Sequence, residues 1–422
     1  MSCGETFDDA CCTSGTTAGD AAPVTREGMM APVAYDALLL ASFGGPEGQE
    51  DVIPFLRNVT RGRGIPDERL EEVATHYRAN GGISPINQQN RELKAAVEAE
   101  LAERGLDLPV YWGNRNWEPY TPDVLETMYA DGHRRVLAFS TSAYAGYSSC
   151  RQYREDYGMA LRDRGLEGKL EVDKVRQYFD HPGFISPFIQ GVEEGLEALK
   201  GKLADKGVAN PRLRILFCTH SIPMSDAEAA GPRLPEGESY EGGNAYTAQH
   251  LAVARTVIAG VPGAADVPHE LVYQSRSGAP HVPWLEPDVN DRLAEIADET
   301  DGVLMVPIGF VSDHMEVTWD LDTEATQTCG ELGLESVRVP TPGTHPDFVA
   351  GLVDLIQERY RAEDEPTAEG EPTRASVVEM GPWADVCARN CCEKVMRDGT
   401  RRPTVAAFDA AIDAPVCQER TA

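Results

Sequence analysis

A histidine and a glutamate each stand where an apolar run of the chain ends, and these two positions carry the strongest chemical signal. His220 closes RILFCTH, and Glu316 follows VLMVPIGFVSDHM, with His314 two residues before it. Imidazole and carboxylate groups together can bind a divalent metal ion or accept protons near neutral pH. Because ligands bind outside the carboxyl ends of strands in open parallel sheets, both residues are expected to line one cleft.

Carboxylates recur at a regular interval after this point, at Glu316, Asp320 and Glu324. In an α-helix this spacing would place them along one face, about 6 Å apart along the axis. A bound cation, or one passed along the row, would offset their mutual repulsion. The alternative is a solvated acidic helix face, which the spacing alone favours equally in a chain as acidic as this one.

The rest of the chain supplies the elements that must position these residues. Eight strand-like apolar segments alternate with amphipathic helical segments. The strand-like segments are YDALLLASF, PVYWG, RRVLAFSTSAY, VDKVRQYF, RLRILFCTH, HELVYQS, GVLMVPIGF and SVRVP. This alternation predicts an α/β protein whose parallel sheets are covered by helices on both faces. Eight strands divide naturally into two four-stranded halves.

Composition and strand pattern together suggest five parts along the chain. The expected parts are a disordered tail at 1–32, a first α/β domain at 33–140 completed by 345–360, a second at 141–344, a Pro/Glu-rich linker at 361–376, and a cysteine-rich extension at 377–422. Tails and linkers rich in small polar residues, Pro and Glu cannot bury enough apolar surface to fold alone.

Charge and hydropathy exclude several classes of partner. The net charge is 38 − 69 = −31, which disfavours nucleic acids and anionic lipids as partners. No apolar run approaches the roughly 20 residues that a membrane helix needs. The N-terminus also lacks the basic stretch and apolar region of a secretory signal. We therefore expect a soluble cytoplasmic protein without stable membrane insertion.

Four longer segments closely resemble the ferrochelatases. In chain order they are YRANGGISP, LFCTHSIPM, YQSRSGAPHVPWLEP and VPIGFVSDHMEVTWDLDTEA, and the resemblance covers about residues 34–360. It implies that the protein inserts Fe(II) into a free-base porphyrin and releases two protons. It also implies two Rossmann-like, chelatase-type domains, each with a four-stranded parallel sheet flanked by helices, and the macrocycle in the cleft between them.

The resemblance assigns roles to residues at the matching positions. His220 and Glu316 are expected to face each other across a gap that admits a flat tetrapyrrole, with His220 as acceptor of a pyrrole proton, as metal ligand, or as both. Asp320 and Glu324 would lead metal or protons through the site. The predicted catalytic residues are His220, Glu316 and His314, and the predicted metal-binding residues are His220, Glu316, Asp320 and Glu324.

Porphyrin carboxylates need cationic or hydrogen-bonding partners. The predicted substrate-binding residues are Phe43, Arg61, Arg63, Tyr77, Ser84, Arg115 and Trp284. The RGR element at 61–63 resembles that of bacterial enzymes using coproporphyrin III, which has four propionates where protoporphyrin IX has two. Phe43 replaces a tyrosine able to ligate iron in some bacterial members, so this position offers no axial phenolate. Each arginine could instead be a surface charge, and Trp284 could serve packing alone.

The ten cysteines are unevenly spread, and several cluster near the C-terminus. A secreted disulfide framework is unexpected without a signal sequence. Some ferrochelatases hold a [2Fe–2S] cluster with one body cysteine and three from a C-terminal extension, and cluster iron takes four thiolates. By this resemblance the ligands would be Cys150, Cys387, Cys391 and Cys392. The alternatives are Zn(II) on the same sulfurs, or Cys417 in place of one ligand.

The favoured function is a ferrochelatase that converts coproporphyrin III to Fe-coproporphyrin (coproheme) in haem biosynthesis. The alternatives are a protoporphyrin IX ferrochelatase giving protohaem, a cobalt or nickel chelatase for another tetrapyrrole, and a non-catalytic tetrapyrrole- or haem-binding carrier. A carrier needs no row of carboxylates, which favours an enzyme. We expect a monomer with transient contacts to neighbouring haem-pathway enzymes. Because Zn(II) accepts the same ligands, zinc is also expected to enter the ring in vitro.

Overall fold

Two four-stranded parallel sheets, each flanked by helices, form the framework of the molecule, as the sequence predicts. The computed structural model describes residues 24–25, 28–62, 64–278, 281–362, 373–394 and 399–408. Among these residues, no helix is both long enough and apolar enough to span a lipid bilayer.

The strands in the described part of the chain are short, and Leu213–His220, at eight residues, exceeds the others in length. They are β1 Val24–Thr25, β2 Met29–Met30, β3 Ala37–Ser42, β4 Val110–Asn114, β5 Arg135–Ser140, β6 Glu171–Lys174, β7 Leu213–His220, β8 His269–Gln274, β9 Gly302–Val306, β10 Glu335–Arg338, β11 Cys387–Ala388 and β12 Ala407–Phe408. Each of the eight strand-like segments predicted from the sequence overlaps one of the strands β3 to β10. All six residues of β3 and all five of β9 are buried, as expected for parallel strands covered on both faces.

The helices range from one turn to more than six turns. They are α1 Val52–Val59, α2 Asp67–Ala79, α3 Ile86–Glu103, α4 Thr121–Ala130, α5 Gln152–Asp163, α6 Pro182–Asp205, α7 Met224–Glu228, α8 Ala245–Gly260, α9 Val289–Ile296, α10 Met315–Val317, α11 Thr326–Glu331 and α12 Pro346–Gln357. Two π-helical segments, Tyr147–Arg151 and Thr318–Ala325, precede α5 and α11. Short 3₁₀ turns lie at Glu241–Gly243, Ala264–Asp266 and Ala297–Glu299.

Both sheets have the same topology. The first has the order β4-β3-β5-β6 and the second the order β8-β7-β9-β10, so in each the earliest strand lies between the next two. The crevice for ligands in such a sheet opens where the strand order reverses, here between β7 and β9. His220 is the last residue of β7, and the segment after β9 carries Glu316.

The expected domain boundary at residue 140 is too early for the first sheet. Strand β6, at Glu171–Lys174, pairs in parallel with β5 and therefore belongs to that sheet. A strand-like segment reveals that it will join a sheet but not which one, because the pairing depends on the path of the intervening chain. The other expected limits of the five parts stay predictions.

Helix α12 connects the two halves of the molecule. It packs on α3, which covers the first sheet, and on α6, which covers the second. The contact with α6 is close: a Cβ at Gly183 would lie 2.4 Å from the carbonyl oxygen of Asp347 and 2.8 Å from Cα of Gly351. Glycine is therefore required for this approach of the two helices.

The described part of the C-terminal segment packs on the body of the protein. Buried Asp180 accepts a hydrogen bond from the backbone N–H of Trp383, at 2.8 Å. Arg176, also buried, pairs with Asp180 and Glu358 and donates to the carbonyl of Ala375 at 2.7 Å. These contacts join Ala375 and Trp383 to the segment between β6 and α6 and to the end of α12, so this described part of the C-terminal region packs against the body of the fold.

Candidate active site

His220 is held with one ring nitrogen directed into the cleft. Its Nδ1 contacts the carbonyl oxygen of Ser221, and because a carbonyl can only accept, Nδ1 carries the hydrogen. The hydroxyl of Tyr246 donates to the backbone carbonyl of His220 at 2.9 Å, which fixes the main chain. In the neutral ring the lone pair is therefore on Nε2, where it can accept a proton or bind a metal ion.

Glu316 lies directly against this nitrogen. The Nε2 of His220 and Oε2 of Glu316 are 3.6 Å apart. His314 precedes α10 and accepts a hydrogen bond from the backbone N–H of Glu316 at 3.2 Å, which anchors the start of that helix. The three residues predicted to be catalytic are thus neighbours in space.

The expected arrangement of His220 and Glu316 on opposite sides of a tetrapyrrole slot is wrong. Carbon atoms pack at about 3.5–4.0 Å, so a flat ring between two groups needs a gap of about 7 Å. The observed 3.6 Å leaves no such space. Both side chains therefore lie together on one side of the cleft, a relation that the order of residues along the chain does not reveal.

The electrostatics of the pair favour an imidazolium beside a carboxylate. Burial opposes the charge on His220, but the charge and hydrogen bond of Glu316, together with Ser221 and Asp320, outweigh burial and raise the pKa of His220 to about 8. Burial likewise opposes ionisation of Glu316, yet the positive charge of His220 lowers the pKa of that carboxyl to about 2. For His314, burial lowers the pKa; the charge of Glu316 opposes this effect and the charge of His220 adds to it.

Asp320 and Glu324 lie on a π-helix rather than on the α-helix that their spacing predicts. Segments of this kind occur frequently at functional sites. Gln274, at the end of β8, donates to Asp320 at 3.4 Å and to the carbonyl of Glu316 at 3.1 Å. Burial, with Glu316 and Glu324 as like charges, raises the pKa of Asp320 to about 7. Glu324 is exposed and accepts a hydrogen bond from the indole N–H of Trp319 at 2.9 Å.

An aromatic wall from the first half of the molecule lies opposite the acidic residues. Phe43, 39% exposed, packs edge-on against Phe55 with ring centroids 6.3 Å apart, and Tyr77 packs on the same ring at 5.8 Å. Burial raises the pKa of Tyr77, and the charges of Glu316 and Asp320 raise it further. Tyr77 therefore lies near enough to these two carboxylates to sense their charge.

Direct contacts also join the two halves at this point. The side-chain amide of Gln89, on α3, donates to the carbonyl of Asp313 at 3.0 Å and accepts from its N–H at 2.8 Å. His76, on α2, stacks on Trp319 with centroids 4.4 Å apart and planes 10° from parallel. Residues of α2 and α3 thus hold the acidic π-helix and the loop before Glu316 in place.

The other predicted substrate-binding residues differ in their accessibility. Arg61 is exposed after α1, whereas Ser84 is buried against Gly45. Arg115 is largely internal: its Nε pairs with Asp156 at 2.5 Å, and its guanidinium stacks 4.0 Å from the centre of the Tyr153 ring. Because Asp156 and Tyr153 already occupy the guanidinium of Arg115, a direct contact between this residue and a propionate is the weaker interpretation.

Trp284 packs on Gly278, where a Cβ would lie 2.2 Å from its indole nitrogen, and pairs with Pro223 in the loop after His220. It therefore supports the His220 loop. Arg63 lies outside the described residues.

The four predicted cluster cysteines are all buried thiols, and they converge. Sγ atoms of Cys391 and Cys392 are 3.7 Å apart, and the N–H of Gly231 donates to Cys392 at 3.1 Å. A hydrogen bond from Cys391 lowers the pKa of Cys387 to about 6, whereas burial raises the pKa of Cys150 to about 11. No set of three or more Cys, His, Asp or Glu side chains in the described ranges forms a ready-made site for one metal ion.

Two buried cations accompany these sulfurs. Arg154, 1% exposed, donates to the carbonyl of Val405 at 3.0 Å, and Lys174, 6% exposed, donates to that of Val175 at 2.7 Å. Nη2 of Arg154 is buried without a hydrogen-bond partner among the described residues. Both cations lower the thiol pKa values of Cys150 and Cys387. The surroundings therefore suit an anionic group on the cysteines. Cys417 lies outside the described residues.

Several supporting residues were not found by sequence reasoning. Gln274, Ser275, Gln89, His76 and Trp319 all hold the catalytic segment in place. Gln274 and Ser275 are the last two residues of the strand-like segment HELVYQS. This position at a strand end was the signal that could have identified them. Nothing in the sequence pointed to the contacts of Gln89 and His76, because their partners lie more than 200 residues away in the chain.

Comparisons with known proteins agree with this geometry. Residues 35–360 match the model of the family described as Ferrochelatase. A coproporphyrin III ferrochelatase of Leifsonia xyli is 58% identical over 378 residues, which cover 89% of this chain and 95% of the relative. The coproporphyrin III ferrochelatase of Tropheryma whipplei is 51% identical, covering 85% and 89%, and that of Streptomyces griseus is 52% identical, covering 86% and 94%. The chain therefore belongs to the ferrochelatase family.

Proposed function

We propose that this protein inserts Fe(II) into coproporphyrin III, releases two protons and forms Fe-coproporphyrin for haem biosynthesis. The observation that carries the proposal is the lone-pair nitrogen of His220 directed at Glu316, 3.6 Å away, beside further carboxylates. This set offers both a nitrogen base and oxygen ligands for a divalent metal ion. The substrate is supported by the coproporphyrin III ferrochelatases that are 51–58% identical to this chain.

The proposed chemistry takes place on one face of the macrocycle. Glu316 stabilises a proton on His220, so a metal ion that binds Nε2 must displace that proton. Asp320, with its pKa raised to about 7 by burial and by its acidic neighbours, can accept a proton near neutral pH and return it to solvent. Asp320 on the π-helix would thus accept the protons released from the pyrrole nitrogens, while His220 and Glu316 hold the metal ion.

The opposite wall suits the flat ring and its propionates. Phe43 and Tyr77 offer aromatic surface for stacking, and Arg61 offers an accessible guanidinium for a carboxylate. The phenyl ring at position 43 cannot ligate iron. In this proposal the aromatic wall binds the face of the ring remote from the metal ligands.

Parallel metallation assays with the two porphyrins test the substrate. We expect kcat/KM to be at least about tenfold higher with coproporphyrin III, since extra charge-assisted contacts to its additional propionates are worth about 1.5–3 kcal/mol each. Arg61→Met should raise KM for coproporphyrin III more than for protoporphyrin IX. Arg162→Met, on the exposed surface of α5, is the matched control. A preference for protoporphyrin IX would contradict the assignment of substrate.

We further propose that Cys150, Cys387, Cys391 and Cys392 hold a [2Fe–2S] cluster. The proposal is supported by four buried converging thiols and by the buried cations Arg154 and Lys174. A cluster with four thiolate ligands is an anion, which would compensate those charges. When bound, the cluster would supply a redox-active anionic centre that ties Cys150 of the body to the C-terminal segment.

Anaerobic purification tests the cluster directly. We expect visible absorption of a [2Fe–2S] centre with stoichiometric iron and sulfide, and loss of both in Cys387→Ser. Cys329→Ser is the control, because Cys329 is a buried thiol of a separate apolar cluster. Stoichiometric zinc without sulfide would contradict the proposal and favour Zn(II) on the same sulfurs.

Location and assembly are part of the proposal. We infer a cytoplasmic monomer that makes transient contacts with other enzymes of the pathway, in keeping with the net charge of −31. Sedimentation analysis should return a mass near 45.9 kDa. A stable species of twice that mass would contradict a monomeric enzyme.

A further inference from the structure

Ser275 has a backbone conformation that serine avoids. Its φ is 62°, in the left-handed region that glycine adopts freely and other L-residues adopt at a cost in free energy. The residue directly follows β8, whose last residue, Gln274, pairs in register with His220. Backbone strain of this kind accumulates at functional sites when the surrounding structure enforces it.

The strained conformation directs the Ser275 hydroxyl at the acidic π-helix. Its Oγ donates a hydrogen bond to Oδ2 of Asp320. The same oxygen of Asp320 lies 3.4 Å from the amide nitrogen of Gln274, which is 1% exposed and also donates to the carbonyl of Glu316. Two successive residues at the end of β8 thus fix the π-helix relative to the strand that adjoins His220.

Repulsion between neighbouring carboxylates explains why Asp320 needs hydrogen-bond donors to hold its orientation. Asp320 is flanked by Glu316 and Glu324, both of which repel its carboxylate. Without a donor, the Asp320 side chain would turn away from its neighbours and from the cleft. A hydrogen bond to a charged oxygen is worth more than one between neutral groups, so a single hydroxyl can hold the orientation.

We propose that Ser275 is a positioning residue of the active site: its left-handed backbone aims the hydroxyl at Asp320 and fixes that carboxylate for metal or proton transfer. This inference rests on the proposed function, because it assigns Asp320 a part in metallation. Ser275 itself touches neither metal nor porphyrin in this role. A glycine would adopt the same backbone without strain but would remove the hydroxyl donor, leaving Asp320 only the longer contact of 3.4 Å from Gln274.

The test compares Ser275→Ala and Ser275→Gly in the full-length enzyme. Both variants lose the hydroxyl, but only glycine relieves the backbone strain, so we expect Ser275→Gly to unfold at a higher temperature than Ser275→Ala. For both, kcat/KM for the metal ion should fall by roughly tenfold or more. Porphyrin affinity, measured by fluorescence quenching, should be unchanged. Ser277→Ala, two residues along the same loop and exposed, is the matched control.

A double-mutant cycle with Asp320→Asn separates positioning from a general structural role. If Ser275 acts through Asp320, Ser275→Gly should cause no further loss of kcat/KM in the Asp320→Asn background. Additive losses, or single variants with wild-type kcat/KM, would overturn the positioning role. A wild-type enzyme that binds but never metallates porphyrin would overturn the proposed function and this inference with it, whereas an active wild type with equally active Ser275 variants would overturn this inference alone.

Discussion

Replacing Glu316 with Gln should lower the pKa of His220 by about one pH unit. The carboxylate is the main influence that raises the pKa of His220 from 6.5 to about 8, against the burial that opposes it. That difference corresponds to about 2 kcal/mol of interaction. Because the His220 and Glu316 side chains are 31% and 49% exposed, solvent screening reduces the effective interaction to about 1 kcal/mol. With that charge removed, burial opposes the imidazolium with less compensation, and the pKa of His220 should fall from about 8 to about 7.

The direction of the pH dependence follows from both partners. The raised pKa of His220 stabilises the folded state fully below pH 6.5, and this contribution is lost as pH rises through about 8. The lowered pKa of Glu316 stabilises the folded state above pH 4.5, and this contribution is lost as pH falls through about 2. The pair is therefore fully stabilising between pH 4.5 and pH 6.5.

Two measurements check this prediction. Histidine-selective NMR should show the His220 ring titrating near pH 8 in the wild type and about one unit lower in Glu316→Gln, with the signal assigned through His220→Gln. Urea unfolding should show Glu316→Gln less stable by about 1 kcal/mol at about pH 6, and this difference should shrink at about pH 9. Glu193→Gln, on the exposed side of α6, is the control. An unchanged His220 titration in Glu316→Gln would refute the coupling.

Three further predictions concern activity and stability. His220→Ala should abolish metallation while porphyrin binding and the thermal unfolding temperature persist; measurable turnover would contradict its role. Trp319→Phe keeps the ring that stacks on His76 but removes the N–H donor to Glu324, so steady-state assays should show kcat/KM for metal reduced by roughly two- to tenfold, and an unchanged value would contradict a role for that hydrogen bond. Arg176→Met leaves two buried carboxylates unpaired and should cost about 3–5 kcal/mol in urea unfolding; a loss below about 1 kcal/mol would show that the pair is dispensable.

The framework of the fold was predictable because buried parallel strands are continuous apolar runs. Each of the segments from YDALLLASF to SVRVP overlaps one of the strands of the two main sheets. Strand ends were predictable for the same reason, since a polar residue after such a run must reach the sheet edge. His220 and the segment carrying Glu316 were located on this basis. The sequence did not show which sheet β6 joins, because the pairing of a strand depends on the path of the intervening chain.

The finer geometry of the site depends on tertiary contacts that no local pattern contains. An i, i+4, i+8 row of carboxylates reads as an α-helix, yet the segment carrying Asp320 is a π-helix whose side chains are held by Ser275 and by Trp319. The placement of His220 and Glu316 on one face depends on two segments that are almost 100 residues apart. Matching motifs predicted which residues form the site but not the direction in which each side chain points.

The glycine contact between α6 and α12 has a consequence for the width of the porphyrin opening. Because α12 also packs on α3, a methyl group on Gly351, placed 3.0 Å from Cα of Gly183, would act as a wedge between the two halves. The sheets would then tilt relative to each other, and the aperture between the aromatic wall and His220 would change although every catalytic atom was retained. The close packing of α12 on α6 and α3 is therefore expected to influence the width of the cleft.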